Sequence, residues 1–390
     1  MTLITHQDDL NRACEALSKA QYITIDTEFM RERTYWPKLC LVQLARPTGE
    51  WGQEMSCIVD PLVNLDLSPL YSLLSNESVL KVFHAARQDV EIFVNLTGSV
   101  PTPIFDTQVA AMVCGYGDQV GYETLVRRIV RESLDKSSRF TDWSRRPLSE
   151  KQLTYAIGDV THLRAIYESL ASQLKMSGRE DWVDAEMAIL RDKATYVVEP
   201  EQAWKRVKTR SSDPKFLGIV RALAKWRETE AQKRDVPRGR ILKDDAVLEI
   251  AAAKPTSREQ MLALRSLQKE GRKAETCEAI IRTIAEGVAA PVTAHAPTKP
   301  QRPNTPGALA LVELLKVLLK AKAEELGVAQ RLIASSAELD VLAVEDEPDV
   351  PALSGWRREA FGDAALRLKR GEIALSASRK GVVIVELSPK

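Results

Sequence analysis

Strand-like and helix-like segments alternate through about the first 195 residues, and then the strand signal stops. That switch limits the chain more than any other feature. Alternation of the two periods marks a sheet covered by helices, and a helix-only continuation belongs to separate layers. Asp8 to Lys19 reads as a helix. Tyr22 to Met30 reads as a strand, with Ile23, Ile25 and Phe29 on one face and Thr24, Asp26 and Glu28 on the other. Leu39 to Ala45 and Cys57 to Asp60 read as further strands, with Gly49 and Gly52 in the turn between them. Val79 to His84 is another, and a helix follows from Ala85. Ser149-Glu150-Lys151-Gln152, just after Pro147, has the form of a capping box that opens a long helix to about Lys175.

From Trp204 onward the pattern predicts helices broken at Asp213-Pro214, Pro237-Arg238-Gly239 and Lys254-Pro255-Thr256. Residues 287–306 carry five prolines and little apolar periodicity, which predicts an extended linker. Residues 307–378 become helical again around an acidic loop at Glu345 to Asp349, and Val382 to Val385 reads as a short strand. The expected division is an α/β domain at 1–198, a helical domain at 203–287, a Pro-rich linker at 288–306 and a second helical domain at 307–390.

Several classes drop out. The longest apolar stretch, Leu309 to Leu319, is interrupted by Glu313 and Lys316, so no membrane span is expected. The opening MTLITHQDDL has neither a basic nor an apolar leader region. Five scattered cysteines without a C-x-x-C pair argue against structural zinc and a disulfide framework, and fit a reducing cytoplasm. Only four histidines are present, so any metal would be a hard cation on carboxylates. The net charge of +1 conceals a division: residues 1–200 hold 21 basic and 28 acidic side chains, whereas residues 201–300 hold 21 and 13. A basic helical unit beside an acidic one suits an enzyme acting on a polyanion, although most charge runs are simply solvated faces.

Asp26 and Glu28 lie two apart in a strand, so both leave the same face. Two carboxylates that close raise each other's pKa unless a cation sits between them. The pair is either a divalent metal site or a solvated strand face. Tyr155 and Asp159 are four apart in the long helix and stack on one shoulder of its apolar stripe. They are either a functional pair or a Tyr at the core margin beside an exposed acid. Asp89 follows the strand ending at His84 by one helical turn, and strand ends are where sites form in α/β sheets. On its own His84 reads as a satisfied strand-end histidine, and Arg87 as a surface cation or a phosphate contact.

The order of these pieces says more than any one of them. An Asp-x-Glu strand, an acid after a later strand and a Tyr-x-x-x-Asp helix together resemble the DEDDy class of 3′→5′ exonucleases, and within it the ribonuclease D family. IDTEF at 25–29, YWPKLCLVQLA at 35–45, KVFHAARQDVEIF at 81–93, FDTQVAA at 105–111 and RFTDWSRRPLSEKQLTYAIGDV at 139–160 carry the resemblance. The sister class has a His where Thr154 stands here, so the Tyr version applies. The resemblance implies an α/β ribonuclease H-like catalytic domain, a mixed five-stranded sheet flanked by helices. It implies Asp26, Glu28, Asp89 and Asp159 as ligands of two divalent ions, Mg²⁺ or Mn²⁺, with Tyr155 orienting the attacking water. Four carboxylates do need about two divalent cations to neutralise them. Thr27, Phe29, His84 and Arg145 become candidate contacts to the terminal nucleotide, with Trp143 and Arg146 beside Arg145. For Phe29 a core role, and for Trp143 with Arg145 and Arg146 a loop-anchor role, is an equal alternative.

RDVPRGRILKDDAVLEIA at 234–251 resembles the helicase-and-RNase-D C-terminal (HRDC) module, a small helical bundle that binds nucleic acid, and 307–390 is a candidate second, diverged copy. The expected activity is removal of nucleotides from the 3′ end of RNA, with tRNA precursors as the implied substrate and a monomeric cytoplasmic enzyme as the implied form. The alternatives are a DNA 3′→5′ exonuclease and a non-catalytic RNA-binding scaffold.

Overall fold

A computed structural model of the chain describes residues 2–47, 55–135, 137–267, 269–292, 307–379 and 381–387. The first unit opens with β1 (Thr2–Ile4), α1 (Gln7–Leu17), β2 (Tyr22–Met30), β3 (Lys38–Ala45) and β4 (Ser56–Val59). It continues through α2 (Ser68–Leu74), β5 (Leu80–Phe83), α3 (Arg87–Thr97), β6 (Ile104–Asp106), α4 (Thr107–Val113) and α5 (Tyr122–Leu125). The long α6 (Glu150–Ser177) and α7 (Glu180–Arg191) close it.

The strands form one mixed sheet in the order β1-β4-β3-β2-β5-β6. β3 pairs antiparallel with β2 and β4, while β5 pairs parallel with β2 and β6. The expected mixed sheet is therefore present, with six strands rather than five. The additional edge strand β1 has three residues and pairs parallel with β4, too few for period-two alternation to register. The turn holding Gly49 and Gly52 lies outside the described residues.

β2 is central, and both its faces are covered. Ile23 and Ile25 enter the core of α1, α2 and α3. On the opposite face Thr24 is fully buried, its hydroxyl donating to Val160 O of α6 at 2.8 Å. α6 is fixed at its start by the anticipated capping box, Ser149 with Gln152, and ends on Gly178 in the left-handed region. Such an N-cap contributes about 1 kcal/mol. The helix buries Ala156, Val160, Leu163, Ile166 and Leu170 against the sheet and its neighbours.

The second unit is all helical: α8 (Pro214–Arg234), α9 (Arg238–Ile241), α10 (Asp244–Ala253), α11 (Arg258–Leu262) and α12 (Ala274–Ala289). α12 runs into the segment read as linker, of which residues 293–306 lie outside the described residues. α8 and α12 cross where a Cβ on Gly218 would meet Gly287 O at 2.4 Å, so glycine is required at the crossing.

The third unit comprises α13 (Ala308–Leu326), α14 (Gln330–Ile333), α15 (Ser336–Val344), α16 (Gly355–Arg357), α17 (Asp363–Lys369), and a hairpin of β7 (Ile373–Ser378) and β8 (Gly381–Glu386). Residues 373–378, read above as helical, are a strand because they pair with the segment at 381–386. That partner is exposed and lies beyond the reach of a local periodicity. Val312, Leu315 and Phe361 of this unit share one core with Ala110, Ile166 and Val183 of the first. Trp356 stacks on Trp182 at 4.3 Å between ring centroids, and Arg179 donates to Leu326 O at 2.7 Å.

Candidate active site

The sequence places its acids on three elements, and the sheet order brings those elements together. Asp26 and Glu28 project from the end of β2 toward α6. Asp159 meets them from α6, and carboxylate oxygens of all three lie within 4.8 Å of one another. Asp89 enters from the first turn of α3, where it is buried and accepts a hydrogen bond from the Thr27 hydroxyl. Tyr155 stands one turn before Asp159 and hydrogen-bonds it. Its ring centroid is 6.1 Å from that of Trp143. Asp26 and Glu28 are half-buried and face Asp159 of α6 across the cleft, so they do not stand on an open, fully solvated strand face.

The electrostatics follow from the geometry. Burial, then Asp159, raises the Asp26 carboxyl well above its ordinary value. Burial, then Asp26, Asp159 and Asp89, pushes Glu28 up to about 10. Burial raises Asp159 to about 7, against the opposing Tyr155 hydrogen bond and the charge of Arg139. Burial and Asp26 raise Asp89. A cluster of half-buried to buried acids that repel one another is costly in the ionised form unless a cation neutralises it. The donor set is all oxygen and fits hard divalent cations such as Mg²⁺ or Mn²⁺.

These groups line an open cleft of about 1090 Å³ that also holds Thr27, Phe29, His84, Arg139 and Phe140. The nucleotide-contact candidates distribute unevenly. Thr27 is a support for Asp89. Phe29 lines the cleft and packs its other side on the core of the first unit. His84 lines the cleft, with Nδ1 3.0 Å from the Thr107 hydroxyl and its ring against Tyr122. Arg145 is not among the cleft-lining residues; its side chain is 85% exposed and pairs with Asp142 at 3.4 Å. Arg146 is a structural clamp, forking onto Asp60 at 2.5 and 2.6 Å. Arg87 donates to Thr195 O at the surface.

Two supports were not read from the sequence. Asp106 accepts from Ala85 N, Ala86 N and Gln108 N at 2.8–3.0 Å. It thereby holds the turn, with Ala85 at φ 56°, that starts α3 and aims Asp89. The FDTQ sequence was the available signal, since an Asp immediately before a helical stretch is an N-cap pattern. The second is Tyr35. Its hydroxyl donates to Glu228 of α8 at 2.5 Å, and Asp235 accepts from Tyr35 N and Trp36 N at 3.0 Å. The neighbouring Arg31, Arg33 and Thr34 line the cleft, so the second unit grips one wall of the site. No local pattern signals a contact across 193 residues.

A ribonuclease H-like sheet carrying four converging acids and a tyrosine defines a 3′→5′ exonuclease, and residues 1–175 match the 3'-5' exonuclease family model. Residues 216–284 match the HRDC domain. The chain is 50% identical to the ribonuclease D of Granulibacter bethesdensis, covering 98% of this chain and 96% of that one. It is 51% identical to the ribonuclease D of Jannaschia sp., covering 98% and 99%. The crystal structure of Escherichia coli RNase D, described as an exoribonuclease involved in structured RNA processing, superposes with a TM-score of 0.80 at 29% identity, covering 95% of this chain and 98% of that one. The chain belongs to the ribonuclease D family of 3′→5′ exoribonucleases. Among the described residues no helix is long and apolar enough to cross a membrane.

Proposed function

We propose that this chain trims RNA from its 3′ end and releases nucleoside 5′-monophosphates by hydrolysis, with Asp26, Glu28, Asp89 and Asp159 holding a pair of divalent cations. The observation that carries this is the meeting of Asp26, Glu28 and Asp159 within 4.8 Å from segments more than 130 residues apart. When bound, the cations supply charge neutralisation and acidity to water at the scissile phosphate. The chain's own residues do the rest. Tyr155 stays protonated, because burial and the adjacent Asp159 and Glu28 raise its pKa, so its hydroxyl orients the attacking water and does not deprotonate it. Thr27 fixes the Asp89 carboxylate, and Asp106 fixes the turn before it. Phe29 offers a face to the terminal base.

In this reading residues 1–198 are the catalytic domain, 203–287 bind RNA backbone through clusters such as Lys233, Arg234, Arg238 and Arg240, and 307–390 are a second, diverged HRDC-like module. The element order supports the last point. A long helix, a four-residue helix three residues on and a third helix two residues later recur as α8-α9-α10 and α13-α14-α15, with the same gaps. The substrate expected from the family is the 3′ extension of tRNA precursors, and the form expected is a cytoplasmic monomer. RNA and DNA oligomers labelled at the 5′ end test the reading, with Mn²⁺ or with EDTA. A ladder receding from the 3′ end of RNA, abolished by EDTA, is expected. Equal shortening of DNA would favour the DNA exonuclease instead, and no shortening of either would favour a binding scaffold.

A further inference from the structure

Phe140 is 91% exposed, although it lines the catalytic cleft. An isolated surface phenylalanine needs no explanation, but this one is held in place. On its N-terminal side Ser138 is buried, and its carbonyl accepts from Thr141 N at 3.2 Å and from the Thr141 hydroxyl at 2.9 Å. On its C-terminal side Gln152 of α6 donates to the Thr141 hydroxyl at 3.2 Å, and Trp143 is buried against β3 and α6. The tight turn therefore pins both flanks and pushes Arg139 and Phe140 out at its tip. Phe29 and Trp143, two further aromatic residues lining the cleft, both pack against cores, whereas Phe140 packs against neither.

Arg139 completes the arrangement. Its guanidinium lies 5.2 Å from the centre of the Phe140 ring. It lines the same cleft as Glu28, Tyr155 and Asp159. Yet it forms no ion pair among the described residues. A cation on the cleft wall that pairs with no carboxylate is free for an anion entering the cleft. An aromatic face beside a free guanidinium matches a nucleotide, with a base for the ring and a phosphate for the cation.

We propose that Phe140 and Arg139 form a clamp at the mouth of the cleft, the ring stacking on a nucleobase near the 3′ end of the RNA and the guanidinium pairing with an adjacent backbone phosphate. The clamp rests on the RNA-trimming reading above. It is independent of sequence, since every base has a stackable face.

The test uses the full-length protein in EDTA and short single-stranded RNAs carrying 2-aminopurine at each of the last few positions in turn. Wild type should quench the fluorescence at one position. F140A should lose that quenching and weaken binding by about five- to a hundredfold, the range for one lost base stack, whereas F140W should keep both. R139A should weaken binding and flatten its salt dependence, with R139K recovering the salt slope. With Mn²⁺ added, the F140A loss should fall more on KM than on kcat. Quenching and affinity unchanged in F140A would overturn the clamp, as would F140L binding as well as F140W, because leucine covers surface without stacking. Failure of wild type itself to shorten RNA would instead overturn the underlying reading.

Discussion

At the residue scale, the proposed chemistry falls on Asp159 and Asp26, whose carboxylates meet Glu28 within 4.8 Å. Asp26→Asn or Asp159→Asn should lower turnover by about 10²–10³-fold or more, the scale of removing one preorganised electrostatic group. RNA affinity should be largely retained, measured as single-turnover cleavage against binding. The pKa shifts give a second test. A carboxyl whose folded pKa is raised holds its proton more tightly in the folded chain than in the unfolded one. Metal-free protein should therefore lose stability as pH rises from about 4, where unfolded acids titrate, through about 7 for Asp159 and on toward about 10 for Glu28. A divalent cation relieves the repulsion that grows over this range. The gain in Tm on adding Mn²⁺ should thus be larger at pH 8 than at pH 5.5, read by differential scanning fluorimetry. An equal gain at both would contradict the carboxylate site.

At the scale of elements, the strap from Tyr35 to α8 couples the helical unit to the cleft wall. Tyr35→Phe removes the hydroxyl that donates to Glu228, a buried acid whose other oxygen has no partner. An unpaired buried group costs about 1–3 kcal/mol. The variant should unfold at lower denaturant and become more open to proteolysis around residues 208–213. Unchanged unfolding would mean the strap is incidental. The strands and helices carrying the acids were legible in the sequence. β2 is rich in β-branched residues, and α6 carries both a capping box and an apolar stripe, so local physics and tertiary packing agree there. β1 and β7 were not legible, being respectively too short to show a period and dependent on a partner strand. The convergence of Asp26, Glu28 and Asp159 was expected only from the order of motifs, because spacing alone favours a solvated strand face. Arg145 shows the same limit: a charged residue within a matched motif still points where its loop sends it.

At the scale of the whole molecule, the third unit is built onto the catalytic one. Gly115, at φ +79°, would set a Cβ 2.4 Å from Gly327 O across that interface. Gly115→Ala combines backbone strain with a clash and should lower Tm by several degrees, roughly the shift expected for 1–3 kcal/mol. An unchanged Tm would show that the two units are only loosely apposed. The second unit contributes charge. Replacing Lys233, Arg238 and Arg240 by Gln should reduce the salt dependence of RNA binding by about one phosphate contact per residue that touches the backbone. The most direct measurement is calorimetric titration of Mn²⁺ into EDTA-stripped protein, with the same samples then assayed on 5′-labelled RNA. Wild type should bind about two ions and gain 3′-end trimming as they bind, and Asp26→Asn should lose both together. Trimming in the stripped protein, or full Mn²⁺ binding by Asp26→Asn, would contradict the account.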